Sequence, residues 1–154
     1  MTDALAIRPA RPEDFDAWLP LWAGYNAFYE RTGPTAVSEA QTRTTWARFL
    51  DGHEPMEALV AEHDGALVGF VHIIFHRNTT MMGPTCYLQD LFAAPALRGK
   101  GVGRALIEAA AARATQAGAA RLYWQTQQGN ATARLLYDRI AQNSGFIVYR
   151  MDLA

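Results

Sequence analysis

The chain predicts a mixed α/β fold, with a central sheet and about four helices on its two faces. Three observations lead there. Two β-rich runs, 57–62 and 66–76, flank a His63-Asp64-Gly65 turn, which is an antiparallel hairpin signature. Apolar residues recur at helical spacing in four other segments. A strand–helix–strand run from 85 onward implies a parallel crossover, so the sheet is mixed.

The elements follow in order. Residues 5–8, Leu-Ala-Ile-Arg, read as a first strand stopped by Pro9 and Pro12. Pro12, Glu13 and Asp14 suit the first turn of a helix, since proline pre-sets φ and acids complement the dipole. Phe15, Trp18, Leu19, Trp22, Tyr25 and Tyr29 form its apolar stripe. Pro20, inside the stripe, is expected to kink or divide it, and Gly33-Pro34 ends the segment. Ser38 is the candidate cap of a second helix running to Phe49 and Leu50, with Asp51-Gly52 as the turn after it. The hairpin comes next, then a strand over 85–93, TCYLQDLFA, ended by Pro95. Residues 102–116 form an alanine-rich helix stopped by Gly118. Leu122, Tyr123 and Trp124 make a short strand. Asn130 caps a helix carrying Ala133, Leu136, Tyr137 and Ile140, which Gly145 ends. FIVYRM, 146–151, reads as the last strand.

The chain's 154 residues suit one domain, 1–154. Half of them are hydrophobic, which excludes general disorder. Fourteen Lys and Arg oppose fifteen Asp and Glu, for a net charge of -1. No whole-chain basic field exists to hold nucleic acid or an anionic membrane. The single cysteine, Cys86, excludes an internal disulfide framework and a four-thiolate zinc site, and it reads as a buried small hydrophobe. His72 and His76 share a strand face, but two histidines without a third ligand make no zinc site, so no metal is expected. The opening residues do not resemble a signal peptide, and no apolar run approaches the ~18 residues of a membrane helix. A soluble, cytoplasmic protein is the expectation.

Chemistry concentrates in Arg98-Gly99-Lys100-Gly101-Val102-Gly103-Arg104, between a strand and a helix. Its three glycines let backbone approach a ligand closely. Amides at a helix start attract anions, phosphates above all, and three basic side chains add charge. A plain glycine-rich connection with solvated basic residues is the competing reading. The Walker A and dinucleotide patterns both fail here. The pattern that fits is [Arg/Gln]-x-x-Gly-x-Gly, met by Arg98, Gly101 and Gly103.

That loop resembles the acyl-CoA pyrophosphate loop of the GNAT superfamily of N-acyltransferases. The IRPARPED opening, the strand ahead of the loop, Asn130-Ala131-Thr132-Ala133-Arg134-Leu135-Leu136-Tyr137 and Gly145-Phe146 are similar to family segments in the same order. The resemblance implies a sheet splayed between its fourth and fifth strands, with acetyl-CoA in the gap. It implies pantetheine contacts at Leu91, Phe92 and Ala93, and pyrophosphate contacts on the amides from Arg98 to Arg104, with Gly99, Lys100 and Val102 included. Asn130 would contact the pantetheine or its neighbourhood; a helix cap is its bland and compatible role.

Acetyl transfer to an amine asks for a base and for an acid to protonate the leaving thiolate. The resemblance implies Tyr137 as the acid. Packing of a helix tyrosine is the alternative. Alternation puts Leu88, Asp90 and Phe92 on one strand face and Tyr87, Gln89 and Leu91 on the other. YLQDLF is similar to the YLEDFF-type stretch of diamine N-acetyltransferases, where the first acid acts through water. Here that position is Gln89, which cannot take a proton. Asp90 is left as an anchor for the cationic amine or a water-mediated base, with a structural carboxylate as the alternative. Tyr25, Glu30 and Gln89 are the candidate acceptor-pocket residues. The function expected is transfer of the acetyl group of acetyl-CoA to a primary amine of a small molecule, such as a polyamine or amino acid, with a protein lysine as the lesser alternative. A catalytically silent acyl-CoA-binding module is the competing class. Homodimers are common among members of the family.

Overall fold

The computed structural model describes residues 5–153. They form β1 (Ala6–Pro9), α1 (Phe15–Phe28), α2 (Glu39–Leu50), β2 (Met56–His63), β3 (Ala66–His76), β4 (Thr85–Ala93), α3 (Val102–Gln116), β5 (Leu122–Tyr123) and α4 (Ala131–Ile140). Short 3-10 turns precede α1, α2 and α3. The chain groups into two compact units, one through Trp124 and one from Gln125.

The first unit holds the sheet, in the order β1-β2-β3-β4-β5. The first three pairings are antiparallel and the β4–β5 pairing is parallel. The β2–β3 turn is made by Asp64 and Gly65, both at positive φ (53° and 76°), the two-residue mirror-image turn that suits strand twist. α1 and α2 cover one face, where Trp18, Tyr25, Trp46, Val60, Phe70 and Phe92 form a core cluster. Trp18 and Trp46 lie 4.8 Å apart, centroid to centroid. α3 covers the other face: a Cβ built on Gly69 of β3 would meet Val102 and Leu106 of α3 at 3.2 Å.

α2 starts as expected. The Ser38 hydroxyl accepts from the Gln41 N–H (3.0 Å) while the Gln41 side chain accepts from the Ser38 N–H (2.8 Å). Pro20 does not divide α1, which runs unbroken from Phe15 to Phe28. The carbonyl that Pro20 cannot bond belongs to Asp16, and both residues are exposed, so water can satisfy it.

Two other expectations are corrected. β4 does not alternate simply. His72 pairs with Asp90 and Ile73 with Leu88, so Gln89 is an extra residue, a bulge. Opposed residues share a face. Tyr87, Asp90 and Phe92 therefore lie with Ile74, His72 and Phe70 toward α1, while Leu88 and Leu91 lie with Ile73 and Val71 toward α3. Leu88 and Asp90 are on opposite faces. Second, FIVYRM forms no strand. Helix α4 ends at Ile140, before Gly145, and residues 146–151 have no ladder partner among the described residues. Phe146, Ile147, Val148, Tyr149 and Met151 are exposed. Their β-propensity alone cannot make a strand without a partner.

Candidate active site

The β4–β5 pairing covers only Cys86–Leu122 and Tyr87–Tyr123. From Leu88 to Ala93, no strand among the described residues pairs with β4 on that side. The sheet thus opens at Leu88, next to the Gln89 bulge. Leu91, Phe92 and Ala93 stand on this open stretch, backed by β3 at Val71, Phe70 and Gly69.

At the end of β4 the chain makes a 3-10 turn over Pro95–Leu97 and then the Arg98–Gly101 turn into α3. Gly99 and Gly101 sit at φ 79° and 84°, a region where other residues are strained. Gly101 is the N-cap of α3, and no side chain caps it. The first helical bond there is Ala105 N–H to the Gly101 carbonyl. The N–H groups of Gly99, Gly101, Val102, Gly103 and Arg104 accordingly have no acceptor among the described residues. A Cβ at Gly99, Gly101 or Gly103 would meet nothing within 4 Å, so the turn is not covered at these glycines. Such a cradle fits a pyrophosphate. Arg98 donates to the Ala93 carbonyl (3.3 Å) and stacks on Phe92 (5.4 Å), while Arg104 pairs with Glu108 (2.9 Å).

Asp90 stands at the opening, on the α1 face, nearly buried. Its Oδ1 accepts from the Tyr25 hydroxyl (2.7 Å), and its Oδ2 lies 2.8 Å from His72 Nδ1. Trp18 Nε1 is a donor only and points at His72 Nε2 (3.1 Å), so the proton of the neutral ring is on Nδ1 and is donated to Asp90. Burial lowers the His72 pKa, against the opposing pull of Asp90, and keeps the ring neutral. Burial, then the Asp90 charge and hydrogen bond, pushes the Tyr25 phenol far up, so it stays protonated. Both Asp90 oxygens are thus held by neutral donors, and no Lys or Arg among the described residues pairs with this carboxylate. Composition and alternation could not reveal His72 and Trp18 as its supports, because the contacts cross from α1 to β3 to β4.

Tyr87 lies on the same face, stacked on Tyr123 at 4.9 Å. Its phenol is raised by burial first, then by Tyr123, Asp90 and Tyr29. Tyr25 and Tyr29 of the α1 end are 5.1 Å apart. Gln89 is exposed at the bulge. Glu30 is exposed at φ 58°, so its backbone rather than its carboxylate shapes the turn after α1. Cys86 is fully buried, and burial pushes its thiol up to about 11. Among the described residues no three His, Cys, Asp or Glu side chains converge as metal ligands.

Asn130 and Tyr137 belong to the second unit. Asn130 caps α4, its side chain accepting from the Ala133 N–H (3.4 Å) and donating to the Thr126 hydroxyl (3.4 Å). Tyr137 is half-buried in the last turns of α4.

The family model described as "Acetyltransferase (GNAT) family" matches residues 18–141. The chain belongs to the GNAT acetyltransferase family. It is 32% identical to the D-amino-acid N-acetyltransferase HPA3 of Saccharomyces cerevisiae, over 99% of this chain and 93% of that protein. It is 33% identical to the uncharacterized N-acetyltransferase YhfO of Bacillus subtilis, over 96% and 97%. Among solved structures, the aminoglycoside N-acetyltransferase AAC(6')-Iy in complex with CoA superposes with a TM-score of 0.83 at 16% identity, covering 100% of this chain and 98% of that one. At that identity the likeness speaks for the fold alone. This GNAT protein is therefore an acetyl-CoA-dependent N-acetyltransferase, and acetyl-CoA is its co-substrate. No helix among the described residues is long and apolar enough to cross a membrane.

Proposed function

We propose that this GNAT protein acetylates the primary amine of a small molecule, and that Asp90 and Tyr25 receive the acceptor and its proton. One observation carries the proposal: a nearly buried carboxylate at the opening of the sheet with no cationic partner among the described residues. Buried charges are ordinarily paired. An alkyl ammonium supplies the missing charge, and it must lose a proton before it can attack, since its pKa is about 10.

Acetyl-CoA supplies an acetyl group already activated as a thioester. The protein's own residues do the rest. The open amides of Gly99, Gly101, Val102, Gly103 and Arg104 hold the pyrophosphate, and the β4 edge at Leu91, Phe92 and Ala93 lies along the pantetheine. Asp90 draws in the ammonium. Tyr25 donates to Asp90 while its oxygen keeps lone pairs free to accept. The amine proton passes to the Tyr25 oxygen as the phenolic proton passes to Asp90 Oδ1. His72, neutral and fixed by Trp18, holds Asp90 at the other oxygen. Tyr137 is the acid for the thiolate and Asn130 contacts the pantetheine, both on the family resemblance. HPA3 is named for D-amino acids, small amine acceptors, which supports a small molecule over a protein lysine.

CoA-thiol release from acetyl-CoA, measured against polyamines, amino acids of both hands, aminoglycosides and a lysine peptide, tests the proposal. Release that needs a small amine and falls in Tyr137→Phe supports it. Release with the peptide alone would overturn the substrate class. Acetyl-CoA binding without acceptor-dependent release would favour the silent module.

A further inference from the structure

At the end of α1 one cation is held in place without an acidic partner among the described residues. The chain turns at Glu30, φ 58°, and the Arg31 N–H closes back onto the Asn26 carbonyl (3.0 Å). This fold-back lays the Arg31 side chain across two tyrosines, with Cζ 5.6 Å from the Tyr25 ring centroid and 5.1 Å from that of Tyr29. Nη1 donates to the Asn26 side-chain oxygen (3.0 Å), and Asn26 is itself buried and anchored to the Trp22 carbonyl (2.9 Å). A non-glycine residue in the left-handed region is disfavoured, so the fold-back is specified against a local preference.

The guanidinium is half-buried and its direction is fixed. Yet among the described residues no carboxylate pairs with it. Only one of its five N–H donors has a hydrogen-bond partner among the described residues. At the hydroxyl of the same tyrosine, Asp90 is a carboxylate without a cation among the described residues. Among the described residues, Tyr25 therefore touches an anion without a cation at its hydroxyl and a cation without an anion over its ring. A polyamine would leave Arg31 unpaired and repelled. A ligand with both charges satisfies both ends.

We infer that Arg31 is the carboxylate-binding residue of the acceptor site and that the acceptor is an α-amino acid, its ammonium directed to Tyr25 and Asp90 and its carboxylate to the Arg31 fork. The inference rests on the acetyltransferase reading of the site and narrows its substrate class. Guanidinium is suited to the role, because its planar fork matches a carboxylate bidentately.

The test pairs each amino acid with its own α-carboxamide, which keeps the amine and side chain and removes the negative charge. Lysine, methionine and phenylalanine of both hands serve as acceptors, with wild type, Arg31→Gln and Arg31→Lys. Wild type is expected to favour the acid over the amide by tenfold or more in kcat/KM. The amide has the less basic amine, so a bias from deprotonation alone would run the other way. Arg31→Gln is expected to bring that ratio down about tenfold to a hundredfold, the worth of a charged hydrogen-bonded pair, and Arg31→Lys to restore part of it. A wild-type ratio near one overturns the inference. So does an equal loss for acid and amide in Arg31→Gln, which is the signature of a merely structural arginine. Calorimetric binding of the same pairs in the presence of CoA separates this from the catalytic reading. Arg31-dependent binding of the acid without turnover keeps the inference and sinks the amine-acetylation mechanism. No Arg31-dependent difference in binding or turnover overturns the inference. A melting curve for each variant confirms that it is folded.

Discussion

Asp90→Asn separates the chemistry of the site from its packing. The amide is nearly isosteric and can turn so that its oxygen accepts from His72 Nδ1–H and its NH2 donates to the Tyr25 oxygen. Each current partner, at 2.8 Å and 2.7 Å, then keeps a hydrogen bond. Two charge-assisted bonds become neutral ones, a loss of about 1 kcal/mol each, and removal of a buried charge offsets part of that. Stability should therefore fall by no more than about 2 kcal/mol, a melting shift of several degrees at about 2–4 °C per kcal/mol. The proton path, in contrast, is closed. The Tyr25 oxygen now accepts from the amide, and no carboxylate remains to receive the phenolic proton. Turnover should fall by about a hundredfold to ten-thousandfold, the usual worth of general base catalysis. The assay is CoA-thiol release at saturating acetyl-CoA, with a thermal melt of the same preparation. Turnover close to wild type in a folded variant would refute Asp90 as the proton's destination. Collapse of the melt would show that the network tolerates no neutral partner and that Asp90 is structural.

Further outcomes are expected elsewhere in the chain. Gly101→Ala places a side chain at φ 84°, costing roughly 1 kcal/mol, but meets nothing within 4 Å. It should fold, and its KM for acetyl-CoA should rise several-fold if the amides hold the pyrophosphate; an unchanged KM argues against that role. Cys86, buried and with its thiol pushed up to about 11, stays protonated through pH 9. A disulfide reagent should label it only as denaturant unfolds the chain, and prompt labelling of the native protein would contradict this burial. Hydrogen bonds from Arg8 (2.7 and 2.9 Å) hold the Asp14 carboxyl below its ordinary value, against the opposing effect of burial. A depressed native pKa contributes stability that is present above about 4 and lost as pH falls through the native value. The melting gap between wild type and Arg8→Met should be full at pH 7 and shrink below pH 4; a gap independent of pH would rule out this linkage.

Local signals made much of the fold legible. Asp64-Gly65 located the hairpin because few residues accept two positive φ angles in succession. Ser38 located the start of α2 because its hydroxyl satisfies an orphan amide. The glycines of Arg98–Arg104 marked the open amides for the same kind of reason. What was not legible depends on partners distant in sequence. The Gln89 bulge is set by register against β3, and nothing in YLQDLF shows which residue is extra. It moved Leu88 to the face opposite Asp90. FIVYRM has the composition of a strand, but a strand also needs a neighbour. Asp90 was found by its chemical type, while Trp18 and His72, each 54 or 18 residues from its partner, were not linked to it. Arg31 carries no local signal, because what marks it is that no carboxylate among the described residues pairs with it.

The most direct test of the proton path is Tyr25→Phe against wild type at one saturating amine, followed by CoA-thiol release across pH. Phenylalanine keeps the ring on Tyr29, Phe70 and Phe92 and removes only the hydroxyl. If Tyr25 carries the amine proton to Asp90, kcat falls about a hundredfold or more while the KM for acetyl-CoA holds and the variant stays folded, its melt lower by several degrees for the lost hydrogen bond to Asp90. A variant that turns over as wild type does, at every pH, would contradict it.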